Sequence, residues 1–228
     1  SRRALLELLE IRGIRFDPEV FPSWADSCSV REALAALPGL RSPLAVVHVS
    51  AGTKAKRWPE SHFGELVHRL LRELVGTVIV VGDSADAPRG RQLARATGNV
   101  IDWTGRLTLM QLAALLDESD LFVGADSGPA HVAAACGVPS VVLFSGTNRS
   151  DCWRPIGSRV HVVRSPTPCS PCHLKACPVS GHPCMSNILP WEVVEAARQI
   201  MPQSHKRRLF LQRPMFVVPP VGGNCRTG

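Results

Sequence analysis

The sequence predicts an α/β fold, a Rossmann-like parallel sheet with helices on both faces. Short runs of continuously apolar residues, such as LAVVHVS at 44–50, are typical of strands buried on both faces. These runs alternate with longer segments whose apolar residues recur at the spacing of an amphipathic helix. No apolar run reaches the roughly 20 residues of a membrane-spanning helix.

Each predicted element has its own signal in the chain. Turn residues bound each apolar run, Thr108 and Gln111 form a capping-box pattern, and Pro190 suits a first helical turn. Leu109 and Leu112 are expected on the inner face of the helix that follows Thr108. In order, the elements are strand 44–50, helix 60–75, strand 77–82, helix 89–97, strand 100–101, a helix from Thr108, strand 121–124, helix 129–136, strand 140–146 and helix 190–201.

Three regions are expected along the 228 residues. Residues 1–43 carry two short helical patterns separated by proline-marked loops, which suggests an interdomain connector. Residues 44–202 hold the alternating strands and helices and form the predicted domain. Residues 203–228 are basic and then rich in proline and glycine, typical of a disordered tail. An alternative is that their apolar-basic stretch touches an anionic membrane.

The net charge of +7 favours acidic partners, whether a phosphorylated substrate, nucleic acid or an anionic membrane. Much of the excess lies in the tail, so a solvated basic surface explains most of it. The chain has no tyrosine and no motif that interleaves basic and aromatic residues. We therefore expect no nucleic-acid partner.

The loop after the first strand, SAGTKAKRWP, has the residues of a phosphate cradle. Ser50 and Thr53 offer hydroxyls, Gly52 allows a tight turn, and Lys56 lies beside a helix N-terminus, which itself favours anions. The loop lacks the glycine spacing and the closing Lys-Ser/Thr pair of a Walker loop. A solvated basic loop is the alternative, and the spacing alone does not decide.

Two further loops reach the same edge of the predicted sheet, where ligands of such folds bind. Gly82 allows close approach of a ligand or makes an ordinary turn. In VGADSGPAHVAAACG, Asp126 can accept hydrogen bonds from sugar hydroxyls or cap the helix, and Gly128 leaves room for a phosphate. Pro129 fits the first helical turn, and His131 faces the same opening as a donor. The alternative is a capped helix with an incidental surface histidine.

In chain order, several segments resemble the C-terminal half of family 9 glycosyltransferases, the ADP-heptose:lipopolysaccharide heptosyltransferases of Gram-negative bacteria. The resemblance covers about residues 43–201, and 3–22 resemble the interdomain segment of the family. The segments are HVSAGTKAKRWP, VIVVGD, GRLTLMQLAALL, DLFVGADSGPAHVAAACGVPSVVLFSGT and CSPCHLKACPVSGHPCM.

The resemblance implies a GT-B architecture, with two Rossmann-like halves, of which this chain is the C-terminal, donor-binding half. It implies that Lys56 contacts the diphosphate and Asp126 the donor heptose, and that residues 105–109 border the adenine or ribose pocket. The donor-binding residues so expected are Ser50, Gly52, Thr53, Lys56, Gly82, Asp126, Ser127, Gly128 and His131.

The implied activity is transfer of heptose from ADP-heptose to the lipopolysaccharide inner core on lipid A, with no cofactor required. The resemblance implies that the enzyme is cytoplasmic and works at the inner membrane, with peripheral contact. The general base of the family is an aspartate of the N-terminal half, so no catalytic residue is expected here. We expect the chain alone to bind donor weakly and not to turn over. The alternatives are a transferase that uses a UDP-sugar, and a non-catalytic remnant that binds a nucleotide sugar or metal.

Four cysteines cluster in what we call the cysteine segment, residues 169–184. Cys169, Cys172, Cys177 and Cys184 are soft ligands suited to a structural zinc, although their spacing is not that of a standard zinc ribbon. Disulfides and reduced thiols in a packed loop are the alternatives. An iron–sulfur cluster has no support beyond the number of cysteines.

Overall fold

The computed structural model describes residues 24–202. The helical pattern near the start of the predicted connector and the whole predicted tail lie outside these residues. Eight α-helices and six strands lie within them, together with 3₁₀ turns at Lys54–Lys56 and Ser84–Asp86. In chain order they are α1 (Trp24–Ala35), β1 (Leu44–His48), α2 (Glu60–Glu73), β2 (Thr77–Val81), α3 (Ala87–Ala96), β3 (Val100–Asp102), α4 (Leu109–Asp117), β4 (Leu121–Ala125), α5 (Gly128–Ala135), β5 (Ser140–Phe144), α6 (Ser150–Trp153), β6 (Val160–Arg164), α7 (Pro183–Ser186) and α8 (Pro190–Ile200).

The six strands form one parallel sheet in the order β3-β2-β1-β4-β5-β6. β1 lies between β2 and β4, and His48 at its end pairs with Val81 on one side and Gly124 on the other. The strand order reverses direction at β1, because β2 and β3 extend to one side and β4, β5 and β6 to the other. Loops after β1 and β4 therefore diverge and leave a crevice between them.

Alternate residues of each strand enter two separate cores, one on each face of the sheet. Ala45 and Val47 face the core that α2, α3 and α8 cover, whereas Leu44 and Val46 face the core that α1, α4 and α5 cover. The buried face of α2 consists of Phe63, Leu66, Val67 and Leu70. Burying each such side chain contributes roughly 1.5–3 kcal/mol to stability. The continuous apolar strands thus have the two covered faces that their sequence predicts.

The structure confirms the predicted strands and helices of the domain, with ends that shift by a few residues. The capping box at the start of α4 is present, because Thr108 accepts from the Gln111 N–H and Gln111 accepts from the Thr108 N–H. One detail is wrong: Leu109 is 59% exposed and does not belong to the inner face of α4. Leu109 is the first residue of the helix, and the buried face begins one turn later, at Leu112.

The predicted connector contributes to the core where the structure describes it. Helix α1 (Trp24–Ala35) includes residues before the helical pattern predicted at 31–37, and it buries Val30 and Leu34 against α4. Arg31 forms an ion pair with Glu118 at 2.6 Å.

Three elements between residues 147 and 189 have no counterpart in the prediction. Strand β6 is an edge strand whose side chains are only half-buried, and α6 and α7 span four residues each. Elements this short lack a full hydrophobic period. Within the described residues, no helix has the length and apolar character that crossing a bilayer requires.

Candidate functional site

The crevice beside β1 brings together two side chains that are 70 residues apart in sequence. Lys56 lies on the 3₁₀ turn after β1, and Asp126 follows directly on β4. The Lys56 ammonium donates to the Asp126 carboxylate at 2.6 Å (Nζ to Oδ2) and to the Asp126 carbonyl oxygen at 3.2 Å. The side chains of Lys56 and Asp126 are 19% and 6% exposed. The prediction placed these residues on one donor site but did not anticipate that they bond to each other.

Asn148 completes this cluster from the loop after β5. Its side-chain Nδ2 donates to the same Asp126 Oδ2 at 3.2 Å. Both side-chain donors thus fall on one carboxylate oxygen, Oδ2. Neither of them occupies Oδ1, whose lone pairs can accept from a ligand hydroxyl. An ammonium carries three N–H groups, so Lys56 also keeps one for a ligand oxygen.

The N-terminus of α5 adjoins the cluster. Ser127 is the N-cap residue, but its hydroxyl donates to the Ala125 carbonyl and does not cap the helix. Gly128 is exposed, and a Cβ built on it meets nothing within 4 Å. Pro129 occupies the first turn as predicted, and His131 lies half-buried on that turn. The open space at Gly128 is available to an anion, which a helix N-terminus attracts.

The hydroxyls of the first loop have different environments. The Ser50 hydroxyl donates to the Asp86 carboxylate, so it would have to exchange partners to bind a ligand. The Thr53 hydroxyl is buried and makes no hydrogen bond in the described part of the chain, which leaves it able to satisfy a bound group. Gly52 has no positive φ and open space around it, so the turn does not require glycine there.

Gly82 lies against a cluster of carboxylates. A Cβ on Gly82 would come within 2.9 Å of the Asp86 carboxylate and 3.2 Å of the Ser50 hydroxyl, so glycine is needed for packing. Burial, and next the charge of Asp83, raises the pKa of the Asp86 carboxyl. Arg89 forms an ion pair with Asp86 at 3.2 Å. This cluster makes the edge beyond β2 acidic, in contrast to the lysine-bearing turn beyond β1.

The stretch at 105–109 reaches the same edge. Gly105 donates its N–H to the Gly82 carbonyl at 2.9 Å and adopts φ +69°. A Cβ there would lie 2.9 Å from the Ser84 backbone, so glycine is required both by conformation and by space. Gly105 therefore lies beside Gly82, just beyond the end of β2.

His48 is a buried imidazole at the floor of the sheet edge. It is 7% exposed, and its Nδ1 has no hydrogen-bond partner among the described residues. Burial lowers the pKa of His48 to about 4, although the charge of Asp83 acts in the opposite direction. The ring is therefore neutral at pH 7 and adds no positive charge to the crevice.

The structure does not support zinc at the cysteine segment. Within residues 24–202, no group of three or more histidine, cysteine or acidic side chains lies close enough to hold a metal ion. Cys184 is buried, Cys169 is exposed, and all four cysteines are free thiols. Burial, and to a lesser degree the neighbouring thiols, raises the pKa of the Cys184 thiol. The four sulfurs are neighbours, but they do not converge on one point.

Several site residues escaped the sequence analysis. Asn148 gave no signal because it lies 22 residues from its partner Asp126 in an irregular loop. Asp86 gave no signal either, because its bond to Ser50 joins two segments that are 36 residues apart in sequence. Lys175 and His182 contact the backbone of Ala55, and nothing in the spacing of the cysteine segment predicts a contact with the Lys56 loop.

Comparison with known proteins gives a family and a fold. A family model described as glycosyltransferase family 9 (heptosyltransferase) matches residues 12–182. The chain is 32% identical over 160 residues to lipopolysaccharide heptosyltransferase 3 of Escherichia coli (strain K12), covering 66% of this chain and 45% of that relative. It thus spans about half the length of the curated relatives it matches.

Solved structures share the fold. The E. coli ADP-heptose lps heptosyltransferase II superposes with a TM-score of 0.64 at 24% identity, over 80% of this chain and 53% of that one. The iron-containing dodecameric glycosyltransferase TibC from enterotoxigenic E. coli H10407 superposes with a TM-score of 0.55 at 17% identity, over 73% and 47%. At these identities the likeness establishes the fold alone.

Proposed function

Because this chain belongs to glycosyltransferase family 9, we propose that its described domain is the donor-binding half of a heptosyltransferase. Its donor is ADP-heptose, and its acceptor is the inner core of lipopolysaccharide. The curated relative is named a lipopolysaccharide heptosyltransferase, and the name of a solved neighbour includes ADP-heptose. The observation that carries the proposal is the contact between Lys56 and Asp126 in the crevice beside β1.

Lys56 and the N-terminus of α5 form the diphosphate site. The remaining N–H of Lys56 donates to a phosphate oxygen, while the helix N-terminus offers backbone N–H groups above the open space at Gly128. Both features are positive, and the site is partly removed from water, which strengthens their effect on an anion. This site binds the donor and also stabilises the charge on ADP as it leaves.

Asp126 forms the sugar site. Its Oδ1 accepts a hydrogen bond from a hydroxyl of the donor sugar, while Lys56 and Asn148 hold Oδ2 in place. A carboxylate fixed by two donors selects a sugar by the direction of its hydroxyls, because it loses no further freedom on binding. Gly82 and the stretch from Gly105 border the nucleoside on the β2 side.

In the proposed transfer, an acceptor hydroxyl attacks the anomeric carbon and the bond from that carbon to the diphosphate breaks. ADP leaves, and the hydroxyl proton passes to a general base. Asp126 is committed to Lys56 and Asn148, and Asp86 to Ser50 and Arg89. We assign the base to a part of the enzyme outside the described residues. The reaction takes place at the cytoplasmic face of the inner membrane, and no step uses a metal.

Calorimetric titration of the chain with ADP and with UDP tests this proposal. We expect ADP to bind more tightly than UDP, and Lys56→Met to weaken ADP binding by about tenfold through loss of a charged hydrogen bond. Lys54→Met is the matched control, because Lys54 is an exposed lysine on the same turn. Preference for UDP would overturn the ADP-heptose assignment, and absence of binding by a folded chain would overturn the donor site.

A further inference from the structure

The cysteine segment packs against the turn that carries Lys56. The Ala55 N–H donates to the Lys175 carbonyl at 3.0 Å, and the Ala55 carbonyl lies 3.0 Å from His182 Nε2. Both polar groups of this buried residue, the direct neighbour of Lys56, are therefore held by the segment. A carbonyl oxygen only accepts hydrogen bonds, so His182 carries its proton on Nε2 in this contact.

The same part of the chain also holds the opposite side of the crevice. Cys172 and His173 donate their backbone N–H groups to the carbonyls of Gly146 and Thr147, at 2.9 and 3.0 Å. These acceptors directly precede Asn148. Beyond the cysteine segment, Ile188 accepts from the indole N–H of Trp58 at 3.0 Å, on the other side of Lys56. The segment thus bridges the two loops that meet at Asp126.

We propose that the cysteine segment is a clamp that positions Lys56 for the donor phosphate. His182 is its positioning residue, because the His182 side chain makes the hydrogen bond from the segment to the Ala55 carbonyl. The proposal rests on the donor site proposed above. His182 touches neither Lys56 nor the ligand in this scheme. It fixes the carbonyl of the preceding residue and so limits where the Lys56 ammonium can lie.

The backbone of His182 allows a sharp test. His182 adopts φ 49° and ψ 58°, the left-handed region, and serves as the N-cap residue of α7. Asparagine tolerates both roles well, but its amide reaches only as far as Nδ1 of histidine. Glutamine places its amide nitrogen at the reach of Nε2, although it is less suited to this backbone region. If His182 acts through its backbone conformation, His182→Asn should bind ADP more tightly than His182→Gln. If it acts through its Nε2 hydrogen bond, His182→Gln should bind ADP more tightly than His182→Asn.

The experiment compares ADP titration and amide hydrogen exchange for the wild-type chain, His182→Asn, His182→Gln and His173→Asn. His173 is the matched control: it is an exposed histidine of the same segment with φ 56°, and its side chain has no hydrogen bond among the described residues. We expect His182→Asn to weaken ADP binding about fivefold, the effect of one hydrogen bond, and to speed exchange of the Ala55 amide. His182→Gln should recover most of both effects, and His173→Asn should match the wild type.

Other results would overturn the clamp. Wild-type binding by His182→Asn would show that the contact does not position Lys56. Equal losses in the asparagine and glutamine variants would assign the effect to packing of the ring. If the wild-type chain binds no ADP but His182→Asn still speeds exchange at Ala55, the donor function fails while the contact between segment and turn stands.

Discussion

Replacing Lys56 by methionine should destabilise the domain, because it leaves a buried carboxylate without its charged partner. The Asp126 side chain is 6% exposed, and of the two side-chain donors to its Oδ2 it would keep the Asn148 amide. Removing one partner of a fully buried ion pair costs about 3–5 kcal/mol. Since the Lys56 side chain is 19% exposed, water can replace part of the lost contact, and we expect about 2–3 kcal/mol.

Urea unfolding followed by circular dichroism measures this loss. The double variant Lys56→Met/Asp126→Asn removes the unpaired charge. Its free energy of unfolding should exceed that of Lys56→Met by at least about 1 kcal/mol, which is in the range of coupling energies between residues in contact. Lys54→Met should lie within about 0.5 kcal/mol of the wild type, as is usual for exposed sites. A cost below about 0.5 kcal/mol for Lys56→Met would refute the reasoning, because that is the value of an exposed ion pair.

Three further predictions concern stability and reactivity. The pKa of buried His48 is about 4 and that of an unfolded histidine is 6.5, so the unfolded chain takes up a proton first as pH falls. The contribution of neutral His48 to the free energy of unfolding is therefore complete above pH 6.5 and declines towards pH 4, with about 2 kcal/mol lost at pH 5. Identical pH profiles of the urea midpoints for the wild type and His48→Asn would contradict this prediction. Gly90→Ala should cost about 2–3 kcal/mol, since its Cβ would overlap the Asp102 carboxylate, whereas Gly64→Ala, in a helix with open space, should gain about 0.5–1 kcal/mol. Equal thermal shifts for the two variants would refute the packing argument. Iodoacetamide should label exposed Cys169 well before buried Cys184, whose raised pKa leaves less thiolate; peptide mass spectrometry that finds the reverse order would contradict the arrangement of the cysteine segment.

The sheet was predictable because its strands are continuous apolar runs separated by turn residues. Burial of both faces is enough to produce that pattern, so each strand can be recognised without knowing which strands and helices pack against it. The position of the crevice followed as well, since Asp126 and the Lys56 loop each follow a strand that ends at the same sheet edge.

The contacts inside the crevice were not predictable in the same way. The bond from Lys56 to Asp126, and those of Asn148 and His182, join loops that only the folded chain brings together. No periodicity marks such residues, because irregular loops have no repeating burial pattern. The cysteine segment shows the same limit: its spacing suggested metal, but within residues 24–202 no three possible ligands lie close enough to hold a metal ion.

The most direct test of the donor site is a crystal structure of the chain with ADP bound. We predict a phosphate oxygen within hydrogen-bond distance of Lys56 Nζ and the diphosphate beside the open face of Gly128, with the Lys56–Asp126 contact retained. ADP bound elsewhere on the chain, with the crevice beside β1 unchanged, would contradict the assignment of this crevice to the donor.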